Sequence, residues 1–126
     1  MSLKRKSRLI SIAGVCFLAT LAVPLSFAQT YESARTVVQR TQDDLEQVRR
    51  QRPRNDKERE RIDNARKSLS DFDRSLSRNK FDKDRLDRAI EDVKNIVEKN
   101  TLQARDRDAL STDLADLRKV RSTRGR

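Results

Sequence analysis

A chain of 126 residues has room for one small domain, and with 40% of them charged it has little material for a large core. It holds no histidine, one cysteine and two glycines. That composition excludes imidazole proton shuttles, most transition-metal ligand sets and a glycine-rich phosphate cradle. The 30 Lys and Arg against 20 Asp and Glu give +10, a basic lean that speaks of anionic surfaces or acidic partners and says nothing of fold.

The first 28 residues read as an export leader. Lys4, Arg5, Lys6 and Arg8 form a basic start, 9–23 is an uncharged apolar run, Pro24 breaks it, and Ser26 and Ala28 place small residues at −3 and −1. Cleavage is expected between Ala28 and Gln29, which would leave the remainder in the periplasm or outside the cell. Kept uncut, 9–28 is long enough to span a bilayer, and that is the only membrane contact expected. Cys16 lies inside the apolar run behind Ala13, Gly14 and Val15, a poor lipidation context. The cleaved chain therefore has no cysteine and no disulfide, and its 26 basic residues against 20 acidic leave +6.

Beyond the leader, Tyr31, Ala34, Val38, Thr41, Leu45 and Val48 follow a 3-4-3-4-3 spacing, which predicts a helix over 30–52 with a narrow coiled-coil-like seam. Thr30 can cap its start, and Pro53 ends it by barring its predecessor from helical geometry. A second helix over 55–79 opens on a capping box, Asn55 with Glu58, and carries the seam Ile62, Ala65, Leu69, Phe72 and Leu76. The short connection makes the pair an antiparallel hairpin.

A third helix over 82–99 has Asp82 as its cap, Phe81 and Leu86 at staple positions, and a broad apolar stripe of Leu86, Ala89, Ile90, Val93, Ile96 and Val97. Asn100 suits the left-handed residue that closes such a helix. The fourth, over 103–121, presents Ala109, Leu110, Leu114, Leu117 and Val120, and the basic tail 122–126 frays. No window shows period-two alternation. The predicted class is all-α, an antiparallel up-down four-helix bundle occupying 29–121 behind a signal-peptide helix.

Candidate chemistry is sparse, and no catalytic, cofactor or metal site is expected. Asp43 with Asp44 and Asp106 with Asp108 are paired carboxylates, but acid–base work needs a concave, partly dry pocket that shifts their pKa values. Asp71, Asp73, Ser75 and Asp82 mimic calcium-loop offsets, yet the glycine position holds Leu76 on the helical seam. Two contact surfaces remain. Ala34, Thr41 and Ala65 make the first two seams lean, so Val38, Leu45, Val48, Ile62 and Leu69 are expected to meet a second copy or a partner protein. Arg49, Arg50, Arg52 and Arg54 around Pro53 offer four guanidinium groups to an anionic surface such as lipid headgroups or an envelope polymer. The basic group at 118–126 falls at the opposite end. Nucleic acid is not expected as a partner, because Tyr31, Phe72 and Phe81 sit at core or staple positions and leave no stacking platform.

The pattern of Leu86, Ala89, Ile90, Asp92, Val93, Asn100, Thr101, Leu102, Arg105, Asp106, Arg107, Asp108, Leu110, Asp113, Leu114, Leu117 and Arg118 resembles a recurrent type of short exported bacterial protein of unassigned function. The resemblance implies an extracytoplasmic helical domain and transfers no activity. In layout the chain is also similar to periplasmic proteins of the Spy and CpxP type, although their Leu-Thr-x-x-Gln motif is absent. The function expected is non-enzymatic: protein–protein contact as a scaffold or holdase-like binder, with anionic-surface binding through the arginine tip as the alternative.

Overall fold

The computed structural model describes the backbone of residues 22–124 and the side chains from Tyr31 to Arg124. Four helices follow one another: α1 (Ala22–Arg50), α2 (Asp56–Ser77), α3 (Lys83–Lys99) and α4 (Ala104–Thr123). No strand occurs among the described residues. The backbones of α1 and α2, α2 and α3, α3 and α4, and α4 and α1 approach within 8 Å, whereas the two diagonal pairs do not. The helices thus close into a ring of four, which is the all-α bundle that the seam periodicity predicts. Most of the leader, 1–21, lies outside the described residues.

Local chemistry explains most of the helix ends. Asn55 accepts the Glu58 amide at 2.9 Å and Asp82 accepts that of Arg85 at 3.1 Å, so both predicted N-caps form. Arg52, just before Pro53, takes a left-handed φ of 60°, which turns the chain between α1 and α2. Asn79 does the same after α2 at φ 59°.

Three expectations need correction. The first helix does not start at Thr30, because nothing in 25–30 interrupts the ladder; it is already helical at Ala22, the first described residue. Asn100 is not left-handed but extended, at φ −86° and ψ 152°, since its side chain is used elsewhere. The tail is partly helical, with α4 reaching Thr123 and Arg124 taking the left-handed capping position.

The core is a single cluster along the bundle axis. Ala34, Val38, Leu45 and Val48 of α1 meet Ile62, Ala65, Leu69, Phe72 and Leu76 of α2, Leu86, Ala89, Val93 and Ile96 of α3, and Leu110, Leu114, Leu117 and Val120 of α4. Thr41 is fully buried and donates its hydroxyl to the Val37 carbonyl at 2.8 Å. Ile90, Val97 and Ala109 are half-buried, at the margins of their apolar stripes. At the base of the bundle Phe81 stands edge-on to Phe72, 5.5 Å between centroids, and stacks on Tyr31 at 6.3 Å.

Outside this apolar layer every seam carries polar rungs. Arg35–Asp73, Arg66–Glu46 and Arg49–Asp63 join α1 to α2 at 3.0, 3.0 and 3.1 Å. Ser68 donates to Asp92 between α2 and α3, Arg121 pairs with Asp87 between α3 and α4, and Arg40 joins α1 to α4. Exposed pairs of this kind contribute about 0–1 kcal/mol each, so they fix register more than they supply stability.

Candidate functional site

The arginine tip divides into two kinds of side chain. Arg49 is tied to Asp63 at 3.1 Å and Arg50 to Glu46 at 3.5 Å, whereas among the described residues no side-chain hydrogen bond or salt bridge engages Arg52 or Arg54, both exposed, and the Arg54 guanidinium acts only through its field on Glu58. The first two serve the fold, and the second two are available to solvent. The five seam residues offered above as a contact surface, Val38, Leu45, Val48, Ile62 and Leu69, lie inside the ring at no more than 6% exposure. A partner could reach them only by opening the bundle.

Beneath the tip, Glu58 joins both loops at that end of the bundle. Its carboxylate accepts the Arg54 amide at 3.0 Å and the Thr101 amide at 2.8 Å. The capping box therefore forms half as expected: the acid reaches the residue before the cap and a second loop. Burial pushes the Glu58 carboxyl up, but the Thr101 and Arg54 amides outweigh it and hold the group below the usual glutamate value. Asn100 completes the junction. Its amide donates to the Glu58 carbonyl at 3.1 Å and its oxygen accepts Arg61 at 3.0 Å, which accounts for the extended backbone there. A cleft of about 250 Å³ opens beside them, lined by Val48, Pro53, Leu102 and Asp106 among others.

The α1–α4 seam holds a second buried acid. Asp113 is 1% exposed, accepts Arg40 Nε at 2.7 Å through Oδ1, and leaves Oδ2 with no hydrogen-bond donor. The other arm of Arg40 goes to Asp116 at 2.5 Å. Burial, then the neighbouring Asp44 carboxyl, push Asp113 up to about 7 against the pull of Arg40. A proton shared between Asp113 and Asp44 would satisfy the orphan oxygen. Asp106 Oδ2 is likewise buried without a donor.

Along the outer face of α1 and α2 runs an open groove of about 720 Å³. Val38 contributes to it, and Gln39, Asp43, Lys67 and Ser70 line it with both signs of charge and neutral donors. Gln42 bridges the two helices there, donating to the Arg66 carbonyl and to the Ser70 hydroxyl at 3.1 Å each.

Asp71, Asp73 and Ser75 sit within α2, with Asp71 paired to Lys67 and Arg74, and Asp73 to Arg35. Asp43 is exposed and accepts Gln39, and Asp108 is exposed at the start of α4. Among the described residues no three carboxylates are arranged to hold a metal ion, and no helix is long and apolar enough to cross a membrane. The cleavage pair Ala28 and Gln29 has helical backbone, and its side chains lie outside the described set.

Sequence reasoning named Glu58 and Asn100 only as helix-end residues, Asp106 only as half of a carboxylate pair and Asp113 only within a resemblance, and missed that all four are buried, although the signal was present. Extending each seam by its own 3-4 spacing lands on all four: Glu58 before Ile62, Asn100 after Ile96, and Asp106 and Asp113 on either side of Leu110. Polar residues at those positions look like surface in a hydrophobicity pattern. No family model, curated protein or solved structure matches the chain.

Proposed function

We propose that this chain is a non-enzymatic exported helical bundle that works by contacting a partner polypeptide along the outer face of α1 and α2. The α1–α2 groove carries this reading: it is open to solvent, runs along two helices, and offers Gln39, Asp43, Lys67 and Ser70 to a segment of mixed charge. Polar grooves of this type suit transient, salt-sensitive contact, as expected of a scaffold or holdase-like binder. The test is a photo-crosslinking residue placed at Gln39 in the groove and, separately, at Ser111 on the exposed face of α4. Adducts with one or more polypeptides from an envelope extract at Gln39 and few at Ser111 are expected. Equal labelling at the two positions, or none at either, retires the reading.

A second reading, binding of an anionic surface, is favoured by one observation: among the described residues several exposed cations form no salt bridge. Arg52 and Arg54 at the tip are two of them. Its signature is affinity that falls steeply with salt.

A further inference from the structure

The cations left without partners are not confined to the tip. Arg78 and Lys80 in the α2–α3 loop and Arg118, Lys119 and Arg124 at the end of α4 are all exposed, and among the described residues no ion pair engages their side chains. Because the helices alternate in direction, the α2–α3 loop and the end of α4 lie together at the base, opposite the arginine tip.

Most carboxylates near that base are already engaged. Asp71 is held by Lys67 and Arg74, Asp73 by Arg35, Asp82 by Arg85, and Asp87 by both Lys83 and Arg121. Glu32 and Asp84 are the acids there without an ion pair. At the tip Glu60, Glu98 and Asp108, all exposed and outside any ion pair among the described residues, stand beside Arg52, Arg54, Lys57 and Lys99, and Arg61 and Arg107 there are tucked onto neutral oxygens. The base therefore presents five exposed, unneutralised cations against two such acids.

Two further features belong to the base. The stacked Tyr31 and Phe81 are only partly buried there, and half-wet aromatic rings with apolar bodies suit the level of lipid headgroups. The chain also enters α1 at this end of the bundle.

From this juxtaposition we propose that the base of the bundle, through Arg78, Lys80, Lys119 and Arg124, seats on the anionic headgroups of a phospholipid bilayer. The inference rests on the anionic-surface reading and moves its contact from the tip to the opposite end. Lysine and arginine beside a charged bilayer act additively and through a screened field, so losing four of them weakens partitioning by about two to three orders of magnitude.

The experiment uses the full chain and vesicles of phosphatidylcholine with or without phosphatidylglycerol, read as the ratio of partitioning onto anionic over neutral vesicles. The leader's own Lys4, Arg5, Lys6 and Arg8 also favour anionic vesicles, but they are common to all three chains and cancel when each variant's ratio is divided by that of the unmodified chain. Three chains are compared: unmodified; Arg78→Gln, Lys80→Gln, Lys119→Gln and Arg124→Gln together; and Arg52→Gln with Arg54→Gln. Circular dichroism confirms that each stays helical. A ratio that falls by about two to three orders of magnitude in the basal variant and persists in the tip variant supports the proposal, and an unchanged ratio in the basal variant overturns it. Collapse in the tip variant with the basal variant unaffected overturns it while leaving anionic-surface binding intact. A ratio of one for the unmodified chain overturns both.

Discussion

Changing Asp113 to asparagine should make the bundle more stable above pH 7 and flatten its response to pH. The acid is buried in the α1–α4 seam beside Asp44, and its folded value of about 7 stands above the ordinary 3.8. Between those values the folded chain keeps a proton that the unfolded chain gives up, so the folded state binds more protons and stability falls as pH rises. The loss begins above the unfolded value and levels off once pH exceeds the folded one. Glu58, Asp71 and Asp87 are shifted the opposite way, so what they contribute is present above the usual carboxylate range and is lost only as pH falls through their lowered values. The interval from about pH 5 to pH 7 therefore isolates Asp113.

Each pH unit is worth about 1.36 kcal/mol for one proton, and because the group is half ionised at the upper limit, the loss over that interval is roughly 2 kcal/mol. The replacing amide keeps the shape, still accepts Arg40, and donates toward Asp44 as the protonated acid would. Urea unfolding followed by far-UV circular dichroism at several pH values measures the effect. The unmodified chain should lose about 2 kcal/mol across the interval, and the Asp113→Asn chain close to none. Parallel pH profiles for the two chains would show that Asp113 ionises normally in the fold, and the carboxyl-pair argument would be wrong.

Other expectations follow from single contacts. Glu58→Gln removes a charged acceptor from the Arg54 and Thr101 amides and should cost about 1–2 kcal/mol near neutral pH, with faster hydrogen exchange at Thr101. Asn100→Gly should destabilise by a similar 1–2 kcal/mol, because the extended residue uses its side chain on Glu58 and Arg61; a left-handed cap there would have given a neutral or favourable change in thermal melting. Arg52→Gly relieves a left-handed φ and should raise the melting temperature slightly, by about 0.5–1 kcal/mol in stability.

The fold was legible because apolar residues at strict 3-4 spacing report their own geometry, and Pro53, Asn55 and Asp82 mark where helices stop and restart. The spacing did not say where the lean seams of α1 and α2 would find partners. Ala34, Thr41 and Ala65 looked too small to close a core, which suggested a second chain. In the structure the broad face of α3, with Leu86, Val93 and Ile96, and Leu110 and Leu117 of α4 share one cluster with Ala34 and Ala65, and Thr41 is buried as well. The candidate sites were less legible. The tip arginines could be named from sequence, but which of them are engaged depends on Asp63 and Glu46, and those pairings need the backbone. The groove along α1 and α2 combines residues 30 or so positions apart, and no local pattern announces it.

The central claim is that the seams of one chain are spent on that chain, which leaves its outer surfaces for function. Leu69→Asp tests it most directly. Leu69 is fully buried among all four helices' core cluster, and an isolated carboxylate there should cost more than about 4 kcal/mol, enough to unfold a domain with so small a core. This variant should lose the helical circular dichroism signal and be proteolysed rapidly, with Arg52→Gln and Arg54→Gln melting like the unmodified chain. A Leu69→Asp chain that stays fully helical and loses only association would contradict the claim, since the seam would then face a partner and not its own bundle.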